Sequence, residues 1–274
     1  MVQRFAIRVC ALAAVALLTA APLHAQFRPR GVAAAPAMGE DYWIEAAAGF
    51  WSPTAEMSIS SESLGIVGSH IDFKTDLGME DHRFRELHVT LRPSKRHKLR
   101  FQYIPLKYEQ ETVVRRDIIF NGQRYQVGLP VASVLDWKAY RFGYEFDFIS
   151  NQRGFGGFVI DFKHTDVRAS LNSPLTRESI HARAPIPAIG GIFRVYPVPF
   201  ISITGEITGF KLPENVIEDA RAHFLDVDFY GTVNFSKNFG AQLGYRRFDV
   251  NYVVDTDTGD FDLRGLYFGA VVRY

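Results

Sequence analysis

From Asp41 onward, apolar and polar residues alternate in runs separated by turn residues. No stretch of useful length carries the i, i+3, i+4 spacing of an amphipathic helix. Ten runs are predicted as strands: Tyr42–Trp51, Phe84–Arg92, His97–Tyr108, Leu135–Ile149, Phe155–Ala169, Ile189–Tyr196, Phe200–Phe210, Phe224–Phe235, Phe239–Tyr252 and Phe261–Tyr274. The last run is the clearest. Leu266, Phe268, Ala270, Val272 and Tyr274 point to one side, and Gly265, Tyr267, Gly269, Val271 and Arg273 to the other.

The connections alternate in length. Pro93–Arg96, Ser150–Gly154, Pro197–Pro199 and Ser236–Asn238 are short, whereas Ser52–Arg83, Glu109–Val134, Ser170–Ala188, Lys211–His223 and Val253–Asp260 are longer. Within the long ones, Thr112–Ile119 and Arg124–Val127 around Asn121-Gly122 predict a hairpin, and Ile71–Phe73 a short strand. Pro185 and Pro187 cannot sit mid-strand with partners on both sides, so the sixth run is taken from Ile189. If two runs belong to an external hairpin, the count falls from ten to eight.

The apolar side is continuous from run to run. Leu87, Val89 and Leu91 oppose Glu86, His88, Thr90 and Arg92; Phe158, Ile160 and Phe162 oppose Asp161 and Lys163; Leu225, Val227 and Phe229 oppose Asp226, Asp228 and Tyr230. A soluble sandwich would bury the apolar set. A transmembrane barrel turns it outward to lipid and collects the polar set in the lumen. Even strand number, short turns alternating with long loops, and runs of about ten residues favour the barrel.

The N-terminus supports export. Arg4 and Arg8 precede the apolar run Val9–Ala21, and small residues follow, so residues 1–25 are read as a signal peptide cut after Ala25. Residues 26–40 lack periodicity and are read as a flexible periplasmic lead, with the barrel at 41–274. Cys10, the one cysteine, lies in the signal, so thiolate chemistry and disulfides are excluded from the mature chain. Removing Arg4 and Arg8 takes Lys+Arg from 31 to 29, against 30 Asp+Glu, which gives no basic excess for nucleic acid. Aromatic residues make up 14% without any long apolar stretch, as expected when lipid-facing residues occupy alternate positions.

The final strand, with Gly269, Val272 and Tyr274, resembles the C-terminal signal read by the barrel-assembly machinery, although Val272 stands where an aromatic is usual. Together with the export signal and the pattern over residues 41–274, the chain resembles bacterial outer-membrane β-barrels of the small, eight- to ten-stranded kind. The resemblance implies an all-β, antiparallel up-and-down barrel in the cell outer membrane. It also implies outer-membrane lipid and lipopolysaccharide as surroundings and the assembly machinery as a transient partner.

The predicted lumen set is balanced. Glu45, Glu86, Glu145, Asp147, Asp161, Glu206, Asp226 and Asp228 face Arg92, Arg100, Arg141, Lys163, Arg194, Arg246 and Arg273, with His88 available as a further base. Ten strands enclose a lumen only slightly wider than side chains can fill, and an unpaired buried charge is costly, so an interior plugged by ion pairs is expected. A lining of one sign would instead have indicated an ion-selective channel. On the fourth run Asp136 and Lys138 fall out of step with Arg141 and Glu145. On the ninth, Arg247 and Asp249 fall out of step with Gln242 and Arg246. Either a β-bulge near the outer rim or exit of the strands from the membrane would do this.

Other candidates are weaker. Asp255, Asp257 and Asp260 are hard oxygen ligands suited to Ca²⁺, but the spacing of a calcium loop is absent, and a polar turn is the favoured reading. No cofactor is expected. Glu178, Ser179 and His181 at the outer rim resemble the Ser–His and acid constellation of barrel enzymes that trim lipid A. Asp81-His82 is the one dipeptide suggestive of the omptin proteases, without a second acid to pair. Three functions follow in order: a non-enzymatic anchor, surface-interaction protein or narrow conduit; an enzyme acting on lipid A or peptide at the outer rim; and a small-solute channel.

Overall fold

The computed structural model describes residues 36–61, 66–212, 220–254 and 257–274 of the 274-residue chain. The predicted signal peptide, the first part of the lead and Asp255 lie outside these residues. Among the described residues thirteen strands account for the regular structure: β1 (Ile44–Ser60), β2 (Ile71–Asp72), β3 (Phe84–Leu91), β4 (His97–Val113), β5 (Ile118–Phe120), β6 (Gln123–Tyr125), β7 (Pro130–Asn151), β8 (Gly154–Asn172), β9 (Arg177–Val198), β10 (Ile201–Leu212), β11 (Ala220–Asn234), β12 (Phe239–Val254) and β13 (Asp257–Arg273).

Ten of them, β1, β3, β4 and β7–β13, follow one another around an antiparallel barrel, which closes where β13 pairs with β1 from Glu45↔Arg273 to Ser60↔Thr258. The strand count is ten, not eight. Nine of the ten strands outrun the predicted runs at their upper ends: β1 continues to Ser60, β4 to Val113, and β9 begins at Arg177, while β3 keeps its predicted start at Phe84. The β5–β6 hairpin forms as expected. Asn121 (φ 48°) and Gly122 (φ 76°) both occupy the left-handed region that a two-residue turn of this hand requires.

The faces agree with the alternation. Phe142, Phe158, Ile160, Phe162, Ile207, Phe229, Leu266 and Phe268 are exposed on the outside, where lipid lies. The residues that fell out of step keep their parity. β12 pairs regularly with both neighbours, and Arg246 and Phe248 point inward while Arg247 and Asp249 point outward. Among the described residues no bulge sits at the outer rim. The register shift on β7 lies at its periplasmic end, between Asp147 and Ile149. What inverts is the chemistry: above the belt the outer face is polar and the inner face apolar. Trp51, Met57, Ile104, Leu106, Leu135, Trp137, Phe224, Phe248, Phe261 and Leu263 join one buried cluster there.

Two long connections close this upper half. Ile71, Phe73, Leu77 and Met79 drop into the mouth, beside Val114, Ile118, Phe120 and Tyr125 of the hairpin segment. Ser69 N donates to Ile119 O at 2.9 Å, and the Tyr125 hydroxyl donates to Leu171 O at 2.8 Å.

Prolines mark the places where the upper wall loses its ladder. β1–β3 pairing ends at Trp51↔Phe84 and β3–β4 pairing at Leu87↔Tyr103, although β1 and β4 both continue upward past Pro53 and Pro105. β9–β10 pairing ends at Gly209↔Ile189, while β9 runs on beside β8 with Pro185↔His164 and Pro187↔Phe162. Pro185 and Pro187 therefore lie within a strand that is paired on one side only among the described residues, which corrects its predicted start at Ile189. A residue without an N–H is tolerated where the neighbouring ladder is missing.

Candidate functional site

The lumen gathers the predicted charged residues into three linked groups. At the periplasmic end Arg273 Nε donates to Glu45 at 2.5 Å, Arg194 meets Glu40 at 3.1 Å and Glu45 at 3.9 Å, and Arg92 meets Glu40 at 3.5 Å. In the middle, Lys98 bridges Glu145 (2.5 Å) and Asp147 (2.9 Å). Arg100 bridges Glu145 (3.3 Å) and Glu206 (2.7 Å), and Arg141 joins Glu206 to Asp161. Towards the outer side Lys163 and Arg246 share Asp226 at 2.8 and 2.7 Å, Arg246 approaches Glu86 at 4.0 Å, and His88 lies 3.4 Å from Glu86. Asp228 accepts from the Tyr267 hydroxyl at 2.9 Å. All sixteen predicted lumen residues thus belong to one interior.

Two members were not predicted. Lys98 is 1% exposed and central to the middle group. Its signal was its shared parity with Arg100, obscured by the basic turn Lys95–His97 before it. Glu40 belongs to the lead, and the described end of that lead is docked. Ala37 N donates to Gln152 O, Met38 N donates to Pro199 O, and the Tyr196 hydroxyl donates to Glu40 at 2.9 Å.

Little space is left. A partly enclosed cavity beside Tyr42, Glu45, Lys98, Arg100, Glu145 and Asp228 measures about 30 Å³, room for a water or two. Above it stands the apolar cluster.

The other candidates separate. Asp257 and Asp260 already lie on β13, at positions of opposite parity, so their side chains leave on opposite faces and do not form a shared cation site. Among the described residues no group of three His, Cys, Asp or Glu is arranged to hold a metal. Ser179 and His181 share the outer face of β9, and His181 Nε2 lies 2.8 Å from Asp166 Oδ1. Arg183 Nε also donates to Asp166 at 2.8 Å, while Glu178 accepts from Asn121 at 3.1 Å, away from that pair. Asp81 accepts from Ala55 N at 2.9 Å and from Lys74 at 3.0 Å, and His82 leans on the Tyr108 ring at 5.9 Å. This dipeptide therefore braces the first loop. Arg116, from the connection after β4, donates twice to Asp76 of the first loop, at 2.8 and 2.6 Å, and this holds the Asp76 carboxyl below its ordinary range.

On the final strand Gly269 stands opposite Gly49. A Cβ on Gly269 would lie 2.7 Å from Ala48 O, so this crossing needs glycine. Val272 and Tyr274 face outward.

Solved structures share this architecture. The outer-membrane protease OmpT of Escherichia coli superposes with a TM-score of 0.57 at 7% identity, covering 89% of this chain and 99% of that one. The chain has the fold of a bacterial outer-membrane β-barrel. At 7% identity the likeness concerns the fold alone. Ail of Yersinia pestis (TM-score 0.34, 9% identity, 82% of this chain and 97% of that one) and the toluene transporter TodX of Pseudomonas putida (0.34, 8%, 94% and 93%) are looser matches. No protein-family model matches the sequence, and no curated protein matches it. With its closed cylinder and apolar outer belt, the barrel is a protein of the cell outer membrane.

Proposed function

We propose that this barrel is a non-conducting anchor that holds a compact β head above the outer membrane as a surface-interaction element. The observation that carries the reading is the filled interior. Ion pairs occupy the lumen down to a cavity of about 30 Å³, and the loops and upper strands close the mouth with an apolar core. A hydrated solute path needs a continuous polar opening, and a fixed network of opposite charges offers none.

The experiment is planar-bilayer recording of the purified, refolded barrel. The expected result is no stepwise conductance in molar salt, at a protein density where a porin control gives steps. Reproducible steps that vanish when the protein is denatured would replace this reading with a channel.

A further inference from the structure

We propose that the cleft at the first ladder break, between the start of β3 and the upper half of β4, binds the phosphorylated disaccharide headgroup of an outer-leaflet glycolipid. The site does not depend on whether the lumen conducts. Where β3 begins at Phe84 and β4 continues past Tyr103 with β7 as its one ladder partner, the outer wall carries an open cleft of about 440 Å³ lined by His82, Arg83, Phe84, Arg85, Pro105, Lys107 and Glu109.

Its cations are placed for an anion. Arg83 donates to the Ser52 hydroxyl at 3.2 Å and lies over the Phe268 ring at 5.7 Å, and neither it nor Arg85 has a carboxylate partner among the described residues. Glu109 is taken by Lys107 at 2.5 Å. Three other outward arginines of the upper wall are paired instead. Arg247 is held by Asp262 at 2.8 Å, Arg264 by Glu56 at 2.5 Å and Arg183 by Asp166 at 2.8 Å. Arg83 and Arg85 are two residues apart and exposed on one side, so both guanidinium forks can reach one phosphate.

The height decides what that phosphate belongs to. Arg85 pairs across to Phe50, and Phe50 meets Phe268 at 5.8 Å between ring centres, both on the lipid-facing belt. Leu87, one outward step below Arg85, is lipid-facing too, and Tyr103 opposite it stacks on Tyr140 at 4.9 Å, a pair typical of the interface. The arginines therefore stand at the boundary between acyl chains and water, where headgroup phosphates lie. There they gain charge-assisted hydrogen bonds that bulk solvent would weaken.

The test uses the full barrel in detergent, native mass spectrometry, and three probes: bis-phosphorylated lipid A, the same lipid stripped of both phosphates, and inorganic phosphate. Bis-phosphorylated lipid A is expected to remain bound, with occupancy falling at least about tenfold on loss of the phosphates or in Arg83→Ala/Arg85→Ala. Lys211→Ala, on the outer surface of β10 and remote from β3 and β4 around the barrel, is expected to leave it unchanged. Arg85→Gln alone, which keeps size and polarity, should give an intermediate loss; both variants must retain the wild-type gel shift on heating. Equal binding by the double variant, or equal loss in Lys211→Ala, would overturn the site. Full displacement of the lipid by millimolar inorganic phosphate would overturn the lipid headgroup as its occupant.

Discussion

The lower and upper halves of this barrel are built from the same strands with the same parity and opposite chemistry. On β4 the inward positions run Lys98, Arg100 and Gln102, then Ile104, Leu106 and Tyr108; the outward positions run Leu99, Phe101 and Tyr103, then Pro105, Lys107 and Glu109. The crossover falls at the stacked Tyr103–Tyr140 pair. Below it water is absent outside, so the apolar side turns out and the charged side must be satisfied within. Above it water surrounds the wall, and the apolar side turns in to make an ordinary core. A strand leaving a membrane can thus be recognised from an inversion of hydrophobic phase without any insertion in the ladder.

The strongest way to break the comparison is to leave a charge unpaired in the lower half. Lys98→Ala strands Asp147 and leaves Glu145 to Arg100 alone, and Arg141→Ala strands Asp161. Each is expected to lower stability by about 3–5 kcal/mol, read as a shift of the urea midpoint of the barrel folded into lipid vesicles. Unchanged midpoints would mean that the lumen network is not structural.

The comparison is sharpened by two outward substitutions on β7. Phe142→Arg, in the belt, should cost about 2–4 kcal/mol, whereas Lys138→Leu, above it, should stay within about 0.5 kcal/mol in the same assay. Equal effects would place the membrane boundary elsewhere.

A smaller effect belongs to the upper half alone. Because the Asp76 carboxyl is held below its ordinary range, its contribution is complete above the ordinary carboxylate pKa of about 4 and is lost as pH falls through the lower, folded value. Acidification below about 4 should therefore loosen the first loop while the belt persists, seen as proteolytic nicking between Ile66 and Arg83 by an acid-active protease. Asp76→Asn should produce the same nicking at neutral pH.

The smallest expected effect is none. Ser179→Ala and His181→Ala should leave the acyl pattern of lipid A unchanged in mass spectra of expressing cells. A wild-type-dependent change that either variant abolishes would make the Asp166–His181 pair part of an enzyme.

Much of the lower half was legible in residues alone. The lipid face, the closing strand and the membership of the lumen follow from a period of two, because each inward position adds a polar residue and each outward one an apolar residue. Lys98 escaped because it follows a basic turn, and Glu40 because it precedes any alternation. The upper half was harder to read. Asp136 and Arg247 announced the inversion but fitted a bulge equally well, and Pro185 argued against a strand that in fact continues with one neighbour missing.

Alternation by itself determined the faces of the strands and the neutral balance of charge, since these depend only on which residues share a parity, while it left ten strands or eight open. The tertiary structure alone decided which charge meets which, that Ile71, Phe73 and the 118–125 hairpin seal the mouth, and where the wall loses its ladder beside Pro53, Pro105, Pro185 and Pro187. Those features depend on distances across a closed cylinder between residues as far apart as Glu45 and Arg273. No local pattern encodes such a distance until the last strand has paired with the first.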